Sequence, residues 1–229
     1  MELIKVDHQA LSDLELARRV GARDAAALRI ITSRNNQRLY RAAWSILKDR
    51  AEAQDAVQDG YLKAFDAIEA FEGRSSLSTW LTRIVVNEAL ARKRSANRRS
   101  RLLHQQSIPV IEEYREKLMG GSVAQTPEAT LMRQQLGKLM EVAIGRLPDT
   151  FRPVFVLREI EGLSVADTAE ALQIPEETVK TRLFRARRLL QKELDPELCG
   201  ALSEAFTFAG AYCEALTDRV LAKFLNTGP

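Results

Sequence analysis

The chain has 229 residues, 45% of them hydrophobic and 28% charged, with a net charge of +3, the balance of a soluble globular protein. No window approaches the roughly 18 to 20 apolar residues that span a bilayer. The N-terminus MELIKVDHQALSDLE also lacks a basic segment followed by an apolar one, so the sequence predicts a cytoplasmic, unprocessed protein without membrane insertion.

Aromatics make up only 6%, whereas Ala, Leu, Arg and Glu are abundant, so an all-α fold is expected. Cys199 and Cys213 form no CxxC, and with His8 and His104 they make no zinc ligand set; reduced structural thiols are expected. There is no Gly-rich phosphate loop before Lys-Ser/Thr, no GxSxG and no metal-spaced His/Asp cluster, which argues against an enzyme, a cofactor or a metal.

From Ser12 to about Ser95 apolar residues recur at helical spacing. Leu39, Ala42, Ala43, Ile46 and Leu47 form one set, and Val57, Tyr61, Leu62, Phe65 and Ile68 another. Residues 12–100 are therefore read as one helical domain, ending in the basic run RKRSANRRSR, Arg92 to Arg101. Residues 101–127 are poorly periodic, include GGS and QTP, and read as a flexible linker.

A second periodic block, 128–194, is long enough for a four-helix unit. Gly162 is placed to stop a helix through DTFRPVFVLREIE in the left-handed conformation, and Ser164 and Asp167 have capping-box spacing. Pro175 suits a helix N-terminus, and Glu176 and Glu177 follow where the helix dipole favours negative charge. The pattern is helix, three-residue turn, helix.

In the second of these helices Val179, Leu183, Ala186 and Leu190 share a stripe at about 100° per residue. The opposite face carries Thr178, Thr181, Phe184, Arg185 and Arg188, flanked by Lys180 and Arg187. A basic face alone is as readily a solvated one. Small hydrogen-bonding residues first and arginines after them suit a recognition helix, with base edges met early and phosphates late. The tight turn, the exposed aromatic among cations and the second basic cluster at Arg92 to Arg101 favour DNA reading.

The segment GLSVADTAEALQIPEETVKTRLFRARRLLQKEL resembles the promoter-reading C-terminal domain of extracytoplasmic-function (ECF) sigma factors. DAVQDGYLKAFDAIEAFEG followed by SLSTWLTRIVVNEALARKR, Asp55 to Arg94, resembles that family's conserved N-terminal helical domain, in the correct order. The resemblance implies two helical domains, regions 2 and 4, that join RNA polymerase core, through the clamp of its largest subunit and the flap of the second-largest, and direct it to promoter DNA.

On that pattern Asp55, Gln58 and Asp59 contact the polymerase. Phe71 and Asn87 capture an unpaired base of the minus 10 element, by stacking and by an amide that donates and accepts. Trp80 either supports that pocket or belongs to the core, and Arg83, Arg92, Lys93 and Arg94 neutralise phosphates. Lys180, Thr181, Phe184 and Arg185 read the minus 35 element, with Thr178 and Arg188 beside them and Arg182 and Arg187 on the backbone.

Glu72 and Arg74 fall in the variable loop, so promoter sequence does not transfer. The rival is a helix-turn-helix regulator independent of polymerase, which leaves the Asp55 to Arg94 block unexplained. Residues 195–229 exceed the minimal pattern. Leu202, Phe206, Ala209, Cys213, Leu216, Val220 and Phe224 mark an amphipathic extension, which either packs on the chain's own domains or masks a DNA or polymerase surface, or docks an anti-sigma factor.

Overall fold

The computed structural model describes residues 11–103, 140–193 and 211–226, and every regular element among them is helical. The first half contains α1 (Asp13–Gly21), α2 (Ala25–Leu47), α3 (Arg50–Asp66), a 3-10 turn (Ile68–Ala70) and α4 (Leu77–Leu103). In the second half come α5, whose described part is 140–146, and α6 (Arg152–Phe155), which runs into a π-turn (Val156–Ile160). Then follow α7 (Val165–Leu172), α8 (Glu176–Glu193) and the C-terminal α9 (Ala211–Asn226). The expected linker beyond residue 103, the start of the second block at 128–139, His8, His104, Cys199 and the tail positions Leu202, Phe206 and Ala209 lie outside the described residues. Helix α4 continues through Leu103, past the expected linker start at residue 101.

Short polar side chains set most helix starts by accepting the first free backbone N–H groups. Ser12 accepts from the Glu15 N–H at 3.3 Å, Asp24 from Ala26 at 2.8 Å and Asp49 from Glu52 at 2.8 Å. For α4 the cap is shared. Ser76 Oγ accepts from the Thr79 N–H at 3.1 Å, and the Asp13 carboxylate, from α1, accepts the Leu77 N–H at 2.8 Å.

The first half closes around Leu39, Ala43, Val57, Tyr61, Phe65, Leu81 and Val85, all buried. Gly60 of α3 lies close against α4, where an added Cβ would lie 2.5 Å from Val85 Cγ2 and 3.3 Å from Val85 Cα. Gly60→Ala is therefore expected to destabilise the protein by about 1–3 kcal/mol through overpacking. A chemical-denaturation midpoint equal to that of the parent chain would show that α3 and α4 have room to part.

The two halves share one apolar core: α7 lies on α4, and α6 with the π-turn lies on α2. The contact is pinned by buried polar groups. Arg152, fully buried, donates from Nε to the Ser45 carbonyl at 2.6 Å, from Nη1 to the Leu147 carbonyl at 2.7 Å and from Nη2 to Asp149 at 2.7 Å. Glu161, with its side chain 1% exposed, accepts from Arg41 Nε at 2.5 Å and Nη2 at 3.1 Å, and pairs with Arg38 Nε at 3.3 Å. The helix expected through DTFRPVFVLREIE thus forms in two pieces, its second part widened so that the Glu161 N–H reaches the Val156 carbonyl at 3.0 Å.

Candidate nucleic-acid interface

The helix-turn-helix forms as its punctuation requires. Gly162 adopts φ 67° and ends the π-turn segment. Ser164 Oγ accepts the Asp167 N–H at 2.9 Å and donates to Asp167 Oδ2 at 2.6 Å. Gln173 terminates α7 in the left-handed conformation, and α8 starts after Pro175.

Val179, Leu183, Ala186 and Leu190 are all buried, which turns the opposite side of α8 outward. On that side Phe184 is 61% exposed, more than any other large apolar residue among those described. The Arg188 guanidinium sits 5.9 Å from its ring centroid, a cation–π placement that orders the arginine without neutralising it. Lys180, Thr181 and Arg185 are exposed, and Thr178 is half-buried.

Within α8 Lys180 pairs with Glu177 at 2.7 Å, a hydrogen bond that raises the lysine pKa, and the Thr181 hydroxyl donates to the Glu177 carbonyl at 2.8 Å. Arg187 is held by Glu159 at 2.8 Å. A shallow groove on this face is lined by Thr150, Phe151, Glu177, Thr178, Thr181, Arg182 and Arg185, so one carboxylate stands among its cations. All the expected minus 35 residues are therefore gathered on one side of a single helix.

The expected minus 10 residues are placed differently. Phe71 is buried, its ring 5.6 Å from that of Trp80, and its N–H closes the 3-10 turn on the Ile68 carbonyl at 3.0 Å. The free stacking face expected of Phe71 is therefore absent in this conformation, because an apolar ring beside a helix start gains more by packing beneath α4 than by facing water. Trp80 remains half-buried and retains an exposed part.

Asn87 is exposed, and its Oδ1 accepts from Gln173 Nε2 at 3.2 Å. Arg83 is taken up by α7, with Nη2 on Asp167 and Nη1 on Glu170, both at 2.9 Å, while its buried Nε has no hydrogen-bond partner. Asp167 is held below the usual carboxylate range first by the Ser164 hydroxyl and then by Arg83, against the effect of burial.

Lys93 spans the Ile46 carbonyl at 2.9 Å and Asp149 at 2.7 Å. Partial burial pushes the Asp149 carboxyl up, but hydrogen bonds from Lys93 and Arg152 outweigh it and bring its pKa down to about 2. Arg92 is enclosed by Glu88 at 3.1 Å, Glu52 at 3.0 Å and Asp59. Of the four expected phosphate cations in this half, Arg94 is exposed and the other three are half-buried.

The expected polymerase contacts also divide. Asp55 is exposed and Asp59 half-buried against Arg92, but Gln58 is buried, at 6% exposure. An exposed Gln58 is thus corrected, since its side of α3 faces other helices. Sequence reasoning missed Asp167, Glu170 and Gln173 as the groups that meet Arg83 and Asn87. The i, i+3 acidic pair on α7 was a visible signal, but its partner lies more than eighty residues away. Among the described residues, no group of three His, Cys, Asp or Glu is arranged for a metal, and no helix is long and apolar enough to cross a membrane.

Two family models match the chain, Sigma-70 region 2 over residues 31–99 and Sigma-70 region 4 over residues 138–190. The RNA polymerase sigma-H factor of Pseudomonas aeruginosa is 32% identical over 189 residues, covering 81% of this chain and 95% of that protein. The chain belongs to the ECF sigma factors. Its likeness to the ECF RNA polymerase sigma-E factor of Haemophilus influenzae is 31% over 191 residues, covering 82% of this chain and 98% of that one.

Two solved ECF-sized folds are similar at 24% identity. One is the sigma factor RpoE of Bartonella quintana in complex with the anti-sigma factor NepR, with TM-score 0.53 and coverage of 72% of this chain and 94% of that one. The other is CnrH in complex with the cytosolic domain of CnrY, with TM-score 0.50 and coverage of 80% and 97%. Both establish the two-part helical fold of this sigma factor. A helix-turn-helix regulator without polymerase is disfavoured, because the first half of the chain matches region 2 in its own right.

Proposed function

We propose that this ECF sigma factor binds RNA polymerase core through α3, reads the minus 35 duplex with the outer face of α8 and captures the minus 10 strand at the start of α4. It acts in the cytoplasm and carries out no covalent chemistry. The observation that carries the reading is the gathering of Lys180, Thr181, Phe184 and Arg185 on the exposed side of a helix whose other side is sealed by Val179, Leu183, Ala186 and Leu190. Two duplex and strand sites on one polymerase raise each other's effective concentration, and capture of an unpaired base offsets an unstacking penalty of a few kcal/mol.

The two sites differ in availability. The α8 face is open, whereas Arg83, Asn87 and Lys93 are held by Asp167, Glu170, Gln173 and Asp149 of the second half. Minus 10 capture through those three residues requires regions 2 and 4 to part, exchanging the carboxylates of α7 for phosphates. An anti-sigma factor that fits between the halves would act on the same equilibrium.

The direct test is reconstitution: purified core polymerase with the chain should start transcripts at discrete genomic promoters, and start sites no different from core alone would end the proposal. Within it, Arg185→Ala is expected to weaken binding of the duplex minus 35 element by about 1–3 kcal/mol. Unchanged affinity across a salt series would remove Arg185 from the interface.

A further inference from the structure

Helix α9 lies beyond both matched segments of the chain, yet it packs on α2 and α3 of region 2. Leu216, Val220, Leu221 and Phe224 turn their side chains into the groove between those helices and are buried there. Phe224 meets the Phe65 ring edge-on at 5.3 Å between centroids, under Arg23, whose guanidinium lies 5.1 Å from the Phe224 ring and donates to its carbonyl at 3.0 Å. Deeper in, the Asn36 amide donates to Thr217 Oγ1 at 2.8 Å, while its carbonyl oxygen accepts the Tyr61 hydroxyl at 3.0 Å. That buried polar pair fixes the register of α9 in the groove, since a shift of one turn would leave an amide without its partner.

The stripe of α3 that α9 follows is marked by Gln54, which meets Arg219 Nη2 at 3.5 Å, and by Phe65. Gln58 stands between them on the same stripe, within about 40° of either at 100° per residue. Gln58, buried at 6% exposure, is thus on the side of α3 along which α9 lies, and it is a residue that the resemblance assigns to the polymerase surface.

The outer contacts of α9 are weak by nature. Arg29 and Asp218 pair at 3.3 Å with both side chains more than half exposed, where ion pairs contribute little. Among its described side chains, four buried apolar ones offset the ordering of a sixteen-residue helix. The helix is thus seated specifically but lightly.

We propose that α9 is a built-in competitor for the polymerase-facing side of region 2, covering the Gln54 and Gln58 stripe until core polymerase displaces it. This rests on the assignment of α3 to the polymerase contact made above. A covered site lowers apparent affinity by the fraction of molecules in which it is uncovered, so the tail sets how much core this factor must meet before it engages.

The test uses the full chain. Amide hydrogen exchange of segment 211–226 is measured alone and with saturating core polymerase, and displacement predicts exchange about tenfold faster in the complex. Equal or slower exchange overturns the inference. In parallel, the full chain with Val220→Asp and Phe224→Asp, which leaves every region 2 residue in place, should bind core about fivefold more tightly; unchanged or weaker binding also overturns it. A chain that forms no complex with core, with or without these changes, contradicts the polymerase-binding assignment itself, a result distinct from a complex in which α9 stays protected.

Discussion

Arg152→Met is expected to lower stability by about 3–5 kcal/mol, the largest effect of any single change considered for this chain. Replacing a buried ionic group by a hydrophobic residue is often harmless when all its partners are replaced with it. Here that route is closed. Two of the three acceptors are backbone carbonyls, of Ser45 and Leu147, and these remain buried and lose their donor when an apolar residue such as Met stands at 152. Asp149 retains Lys93, so the loss is concentrated on the carbonyls, each worth about 1–3 kcal/mol when stranded. In a chain of this size the melting temperature should fall by roughly 6–20 °C. A fall of less than about 2 °C would mean that water enters the site and takes over the donor role.

Arg41→Ala should cost nearly as much and should also change the shape of the molecule. It removes the bidentate partner of Glu161 and leaves that buried carboxylate with Arg38 as its remaining ion pair. Removing one member of a buried pair typically destabilises by about 3–5 kcal/mol. Because Arg41 is on α2 and Glu161 follows the π-turn, the energy is lost from the contact between regions 2 and 4, and the halves should separate. Small-angle scattering should show a larger radius of gyration than for the parent. A double-mutant cycle with Glu161→Ala should return a coupling of about 0.5–3 kcal/mol. Independent, additive effects of the two substitutions would show that the pair does not hold the halves together.

The parts of this molecule that could be read from sequence are those whose causes lie within about one helical turn. Ser164, Gly162 and Pro175 announced the helix-turn-helix because caps, left-handed glycines and N-terminal prolines act on their own neighbours. The stripe of Val179, Leu183, Ala186 and Leu190 was equally explicit, and fixing the buried side fixed the exposed one. Phe71 and Gln58 show where this stops. Each is expected at a surface and each is buried, Phe71 against Trp80 of α4 and Gln58 on the stripe of α3 whose Gln54 and Phe65 meet α9. The pairing of Arg83 with α7 is of the same kind: periodicity reveals that an arginine faces outward, but not that another domain waits there. The division into α6 and the widened π-turn had no local signal either.

Helix α1 lies outside the segment that matches region 2, which begins at residue 31, yet its Asp13 carboxylate holds the first N–H of α4. Its Leu14 lies where a Cβ on Gly73 would come within 3.3 Å. Gly73, at φ 73°, has neither the side chain nor the backbone preference to stay put without that neighbour. A fragment trimmed to the matched segment would therefore contain every residue assigned to strand capture and still leave their loop unbraced. A piece of this half that begins at Ser12 keeps these contacts, and a tag or fusion partner belongs ahead of that serine with a spacer that leaves its cap intact.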